Sequence, residues 1–234
     1  MLGAIIGDIV GSVYEFNNYR AKDFTPFFHP QASYTDDTVC TVAVADALLS
    51  GRHPGQVLKD WGTRYWENGG WGGRFAIWLE SDSLEPYNSF GNGAAMRVLP
   101  VALACYGRPP ETAIFASRAQ AHVTHHNVIS DAACETLTFM VLDLLAGRDA
   151  GEVQRERADE LVRQFPVFAY GKKRIENPSG YVVDTIQAVF QAFFGTASFE
   201  DCLLDVVNRG GDADTTGPRR RWRRSAGRLG IRQR

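Results

Sequence analysis

Read for apolar spacing, the chain divides into helix-length stretches. Gly3, Gly7 and Gly11 recur every four residues among Ile5, Ile6, Ile9, Val10 and Val13. On a helix that spacing gathers the glycines on one face, where a neighbouring element can approach closely. The segment is short and holds Asp8, so no lipid contact follows from it. Asp8 reads as a buried, hydrogen-bonded acid, because an unpaired buried carboxylate is costly. Thr35-Asp36-Asp37-Thr38 then opens a helix through VCTVAVADALLS. Further helices are predicted over 54–66, over AAMRVLPVALACY from Ala94 to Tyr106, and near 110–121, 129–146 and 151–164. Two more run from the Gly180–Asp184 region through Phe194 and from Ser198 or Phe199 onward. Residues 17–33, 69–74 and 165–179 read as loops. No strand alternation appears, nor any repeat on the scale of roughly 20–50 residues. Helices joined by short loops predict an all-α fold, a compact single-domain multi-helix bundle over residues 1–217.

Composition narrows this picture. The 234 residues, 44 % of them apolar, suffice for a sizeable core. No apolar run reaches the ~18 residues that a membrane span needs. The start has no basic region and carries Asp8, which argues against a signal peptide. Cys40, Cys105, Cys134 and Cys202 lie far apart without a CxxC, and read as reduced, packed thiols of a cytoplasmic protein rather than zinc ligands.

The net charge of −2 hides an asymmetry. Residues 218–234 hold eight arginines and no acid; without them 17 of the 25 basic residues remain against 27 acidic ones, so residues 1–217 carry about −10. An acidic body offers weak attraction to a basic protein partner. A basic tail ordinarily points to nucleic acid or an acidic surface.

The chemistry concentrates in Gly210-Gly211-Asp212-Ala213-Asp214-Thr215-Thr216-Gly217. Its carboxylates and hydroxyls are hard donors suited to Mg²⁺ or Mn²⁺, and its glycines permit a sharp turn. The same residues also fit an Asx-turn into a helix, with Asp214 or Thr215 as N-cap. Asp36 and Asp37 stand at a helix start, where carboxylates suit the dipole. One cap needs one acid, and Thr35-Asp36-Asp37-Thr38 offers four oxygen side chains. Together with Glu15, the two stretches provide five carboxylates and two hydroxyls, enough for a two-metal site completed by water and substrate oxygens. Gly91-Asn92-Gly93, entering an apolar helix, reads as an anion-facing turn or as a plain one. GGWGGR at 69–74 lacks the Lys-Ser/Thr ending of a phosphate loop. His122, His125 and His126 do not have zinc-site spacing.

These motifs, taken in order, resemble the ADP-ribosylglycohydrolase family. The resemblance rests on G-D-x-x-G-x-x-x-E-F (Gly7 to Phe16), T-D-D-T (Thr35 to Thr38), G-N-G-A-A-M-R (Gly91 to Arg97), Thr124-His125 and G-G-D-A-D-T-T-G, and covers residues 1–217. THHN, SDAACETL, SGYVVDT and VVNRGGDADTTG resemble the bacterial dinitrogenase-reductase-activating branch, which removes ADP-ribose from a modified arginine. The resemblance implies an all-α fold around two Mg²⁺ or Mn²⁺ ions, with Thr35, Asp36, Asp37, Asp212, Asp214 and Thr215 as ligands. It maps Glu15 to an acid at the metal edge, a ligand or base, so that Glu15 or Asp36 takes the proton from water. Gly91, Asn92 and Gly93, with Ala94 and Ala95, map to the diphosphate turn, His125 to a substrate-pocket histidine, and Tyr181 to the pocket wall. His122 and His126 match no assigned role and read as structural or exposed. The implied partners are a mono-ADP-ribosylated protein and ADP-ribose, with no nucleic acid.

The end of the chain departs from this resemblance. Family members continue with a helix rich in Ala, Gly and aliphatics, whereas here Pro218 opens the arginine-rich stretch. Two CGN arginine codons read one base out of frame contain GNC, which encodes Ala, Gly, Val or Asp. The expectation is therefore a frameshifted end, against the alternative of a basic tail that serves a partner. With it comes the alternative function of a catalytically silent ADP-ribose-binding or structural family member.

Overall fold

The computed structural model describes residues 1–14, 28–171 and 173–210. Within them the chain is helical, with no strand beyond one isolated antiparallel bridge between Gly91 and Tyr181. The expected all-α bundle is what the chain forms. None of the described helices is long and apolar enough to cross a membrane.

The helices begin and end where local chemistry dictates. Helix α1 spans Leu2–Gly11 and α2 spans Asp36–Ser50. Val39, Cys40, Ala43, Val44 and Ala47 form the buried stripe of α2, at the spacing of one helical face. Gly51 ends it at φ 69°, a left-handed conformation that glycine adopts without penalty. Helix α3 (Pro54–Arg64) starts with proline, whose missing N–H costs nothing there. Helix α4 (Gly73–Glu80) follows the glycine run and was not expected from the pattern. The stretch predicted as one helix from Ala94 to Tyr106 is two: α5 (Gly93–Met96) and α6 (Leu99–Cys105). Pro100 sits in the first turn of α6, where it favours a new start over continuation. Helices α7 (Pro110–His122) and α8 (Val128–Leu145) pack together, and the Asn127 side chain caps α8 by accepting from the Ser130 N–H at 3.0 Å. The 151–164 stretch is helical but interrupted: α9 (Ala150–Val153), a π-turn over Gln154–Ala158, then α10 (Asp159–Gln164). Helices α11 (Val182–Gly195) and α12 (Phe199–Arg209) close the described part.

Three apolar clusters hold these elements. The largest joins α5 through α11 and includes Phe168, Ile186 and Phe190. A second joins α2, α3 and α4 around Leu58, Trp78 and Leu79. The third, between α1 and α12, is built among the described residues on Val10, fully buried, and Leu203, 9 % exposed. The four cysteines are unpaired; Cys40, Cys105 and Cys134 are buried and Cys202 is half-buried, as packed thiols should be.

Candidate active site

The site is assembled around the first turn of α2. Thr35 is its N-cap, its hydroxyl accepting from the Asp37 N–H at 3.4 Å. That role falls to threonine, so Asp36 and Asp37 are not consumed as caps. Asp8 reaches across from α1 and holds the turn from outside. Its carboxylate accepts from the Thr35 N–H at 2.9 Å, the Thr35 hydroxyl at 2.7 Å, the Thr38 N–H at 3.2 Å and the Thr38 hydroxyl. The expected hydrogen-bonded acid is thus found, half-buried rather than buried. Because the Thr35 proton is given to Asp8, the remaining lone pair of that hydroxyl is available to a cation. Three oxygen side chains in a row, one oriented by a neighbouring carboxylate, fit a hard divalent ion.

Asp36 and Asp37 face different spaces. Asp36 is buried and accepts from the Gly70 N–H at 2.9 Å, so the glycine run contributes a backbone donor to an acid. It lines a cavity of about 220 Å³ together with Gly91, Asn92, Gly93, Arg97 and His125. Asp37 lines a groove of about 360 Å³ with Asp8, Asn92, Met96 and Gly210. Asn92 and Met96 border both. Gly210 therefore lies in the groove of Asp37, directly before the acidic stretch at 212–215. The end of α12 is pinned there: Arg209 donates to Gln191 Oε1 at 2.7 Å and to Asp205 Oδ2 at 2.8 Å, and its carbonyl accepts from Asn177 N–H at 3.0 Å. Gly210 has φ 60° and ψ −161°, a conformation open essentially to glycine alone. Asp212, Asp214, Thr215 and Glu15 lie outside the described residues. Among the described residues no group of three or more His, Cys, Asp or Glu converges as a metal site.

The Gly91–Ala95 turn is more selective than its sequence. The Gly91 N–H donates to Ser89 Oγ at 3.0 Å, the Asn92 N–H to Gly180 O at 2.9 Å, and the Ala95 N–H to Asn92 O at 2.8 Å. The N–H groups of Gly93 and Ala94 make no such bond among the described residues. The side chains of Ala94 and Ala95 are core, so these two positions serve by being small. Asn92 Nδ2 donates to Thr185 Oγ1 at 3.1 Å, while its Oδ1 is buried without a partner. Tyr181 is 38 % exposed beside Phe90, with ring centroids 6.4 Å apart, and flanks this turn through the bridge to Gly91.

His125 is 3 % exposed. Its Nδ1 lies 2.7 Å from Thr124 Oγ1, and its Nε2 faces Gly91 and Gly93 without a well-formed hydrogen bond. A methyl group at Gly93 would meet the imidazole at 3.3 Å, so any larger residue there would press on His125. Burial, reinforced by the positive charge of Arg97, pushes His125 down to about 3, so it is neutral at pH 7. His122 is bonded to Asp131 at 2.8 Å and stacks on the exposed His126, which gives both a place outside the cavity.

Sequence reasoning missed two cavity residues. Arg97 is 1 % exposed: Nε donates to Gln120 Oε1 at 2.9 Å, Nη2 to Gln120 O at 2.9 Å and to Thr124 Oγ1 at 2.7 Å, and the Cys40 thiol is a further partner. Burial lowers its pKa from the ordinary arginine value. Arg74, at the start of α4, stacks over Tyr87 at 4.9 Å and donates to the Tyr87 carbonyl. The G-N-G-A-A-M-R motif contained Arg97, but nothing in its spacing signalled a fully buried cation.

Comparison with known proteins agrees with this architecture. The ADP-ribosylglycohydrolase family model matches residues 1–218. An ADP-ribosyl-[dinitrogen reductase] glycohydrolase from Rhodospirillum rubrum is 45 % identical over 59 % of the chain and 47 % of its own length. An ADP-ribosylarginine hydrolase, Tri1, from Serratia proteamaculans is 28 % identical over 92 % of the chain and 66 % of its length. The chain thus spans about half to two thirds of the length of these relatives. A solved ADP-ribosylglycohydrolase-related protein superposes with a TM-score of 0.71 at 26 % identity, over 92 % of this chain and 81 % of that one. With a family match over almost its whole length, this chain belongs to the ADP-ribosylglycohydrolase family.

Proposed function

We propose that the chain is a hydrolase that removes ADP-ribose from a modified protein side chain, arginine first, by cleaving the ribosyl C1″–N bond. The observation that carries this reading is the shared cavity: the Asp36 end of α2, the Gly91–Gly93 turn and His125 line one space. An anionic diphosphate suits the Gly93 and Ala94 N–H groups and the Arg97 charge. A glycosidic carbon and its attacking water suit the Asp36 carboxylate in the same cavity. The relatives named as glycohydrolase and arginine hydrolase support the bond and the side chain.

Thr35, Asp36 and Asp37, with Asp212, Asp214 and Thr215, would hold two Mg²⁺ or Mn²⁺ ions. Bound there, such ions polarise ribose hydroxyls and lower the pKa of a bound water. Asp36 or Glu15 takes the proton of the attacking water, Asp8 keeps the α2 turn in register, and the Gly91–Gly93 turn with His125 orients the substrate. The test is release of ADP-ribose from arginine- and serine-modified proteins with Mn²⁺, Mg²⁺ or chelator. Release from the arginine-modified protein, abolished by chelator, is expected. No release from either protein under any metal would leave the silent ADP-ribose-binding reading in its place.

A further inference from the structure

Arg97 raises a question that its family motif does not answer. A buried guanidinium ordinarily sits against a carboxylate, because an uncompensated buried charge is costly. Here its hydrogen bonds go to Gln120, Thr124 and the Cys40 thiol, none of them a carboxylate, and Gln120 in turn donates to the Ala94 carbonyl at 3.1 Å. Thr124 is fully buried and its hydroxyl has two partners, Arg97 Nη2 and His125 Nδ1, each at 2.7 Å.

The proton count in this row has one solution. Arginine has no acceptor lone pair, so Thr124 Oγ1 must accept from Arg97. The single hydroxyl proton then needs an acceptor, and His125 Nδ1 stands in position to take it. Were the proton on Nδ1 instead, the threonine hydroxyl would accept twice and its own proton would be buried unpaired. With Nδ1 accepting, a neutral imidazole carries its proton on Nε2. Nε2 is the buried atom that faces the Gly91–Gly93 turn, beside the Gly91 backbone but without a well-formed hydrogen bond, and a proton there suits that backbone acceptor.

We propose that Arg97 and Thr124 are positioning residues that lock His125 in the tautomer with its proton on Nε2, so that it presents one donor to an oxygen of bound ADP-ribose. The donors then point one way along the row, from Arg97 through Thr124 and His125 toward the turn, and each bond polarises the next. The charge of Arg97 is thereby felt at the anionic ligand without the arginine touching it. The ligand named here rests on the functional reading above; the tautomer does not.

The experiment reads the two parts separately. In the ligand-free protein, ¹⁵N NMR of the His125 imidazole should show a hydrogen-bonded, unprotonated Nδ1 and a protonated Nε2. Thr124→Val, which keeps the shape and removes the hydroxyl, should give a mixture of tautomers and weaken ADP-ribose binding on the order of tenfold, about one buried hydrogen bond. Thr124→Ser should restore both, which a purely packing role would not predict. A wild-type protein with its proton on Nδ1 overturns the lock, even if Thr124→Val fails to fold. So does a folded Thr124→Val with unchanged tautomer and affinity. A wild-type protein with the assigned tautomer that binds no ADP-ribose overturns the ligand and the functional reading, and leaves the lock standing.

Discussion

The two sides of the α2 N-terminus are built differently. On the Asp36 side the wall is finished: α5, α8 and α11 share the large apolar cluster, and Arg97, Gln120, Thr124 and His125 are held within it. On the Asp37 side the wall is thin. Apart from the Asp8 hydrogen bonds, the apolar packing of α1 among the described residues is Val10 against Leu203 with a few partly buried neighbours, and a methyl group added at Gly7 or Gly11 would meet nothing within 4 Å there. Among the described residues, adjacent positions of one helical turn thus border a well-packed half and a sparsely packed one.

The largest expected difference between the halves is in stability. Phe190 is fully buried, with Tyr170 at 5.2 Å and Phe194 at 6.0 Å between ring centroids. Phe190→Ala should cost about 3–5 kcal/mol. Ile6→Ala, in the thin half, should cost about 1 kcal/mol. Urea melts of both variants check this. Equal losses would mean that the α1 side is as well packed as the core.

Asp8→Ala should come next. It removes the acceptor of four hydrogen bonds that set Thr35 and Thr38, and so the direction of Asp36 and Asp37. Outer partners of metal ligands typically matter by about 10–100-fold in metal affinity or activity. Titration of Mn²⁺ into wild type and variant would measure it, and an unchanged affinity would remove Asp8 from the site.

These cases also show what could be read without a structure. Helical spacing located α2, α7, α8, α11 and α12, because each carries a sustained apolar stripe. The costliness of an unpaired carboxylate was enough to expect a bonded Asp8. Its partners were hidden, because Asp8 meets Thr35 and Thr38 only after α1 folds onto α2. Helix α4 was hidden by the glycines before it, which read as loop although the helix needs only one of them at its start. The break at Arg97 was signalled by Pro100 and overlooked in a continuous apolar run. That Asp36 and Asp37 border different spaces follows from a helical turn and two separate walls, which spacing does not describe. Asp212, Asp214, Thr215 and Glu15, which the resemblance maps to the site, lie outside the described residues.

A pH effect tests the packed side. Unfolded, His125 takes up a proton near ~6.5, the ordinary histidine value. Folded, it stays neutral down to about 3, because burial and the Arg97 charge oppose protonation. Within that window the unfolded chain binds the extra proton, so stability falls as pH falls. The loss between pH 7 and pH 5 should be about 2 kcal/mol from this residue. His125→Gln should show a correspondingly smaller loss in urea melts at the two values. An equal loss would mean that His125 is accessible to protonation in the folded state.

The smallest effect is the most informative about the open side. Glycine inside a helix is less stable than alanine by roughly 0.5–1 kcal/mol, through the entropy of the unfolded chain. At Gly7 and Gly11 an added methyl meets nothing within 4 Å among the described residues. Gly7→Ala and Gly11→Ala should therefore each raise the melting temperature of the natural chain by a few degrees. The groove beside them is lined by Ala188, Val189, Val206 and Val207 together with Asp8 and Asp37, and Gly210 borders it. Replacing residues 218–234 with an Ala/Gly/Val-rich helix should raise the stability and the Mn²⁺ affinity of the chain, since a packed helix would fix the backbone that carries Asp214 and Thr215. In that background the two glycine substitutions should reverse sign, because the methyl groups would now meet the inserted helix. Melting curves of the four combinations, with and without Mn²⁺, separate the cases. If Gly7→Ala and Gly11→Ala already destabilise the natural chain, the groove is covered there, and equal melting temperatures and Mn²⁺ shifts for the natural and replaced ends would make the arginine-rich stretch an integral part of the fold rather than a frameshifted one.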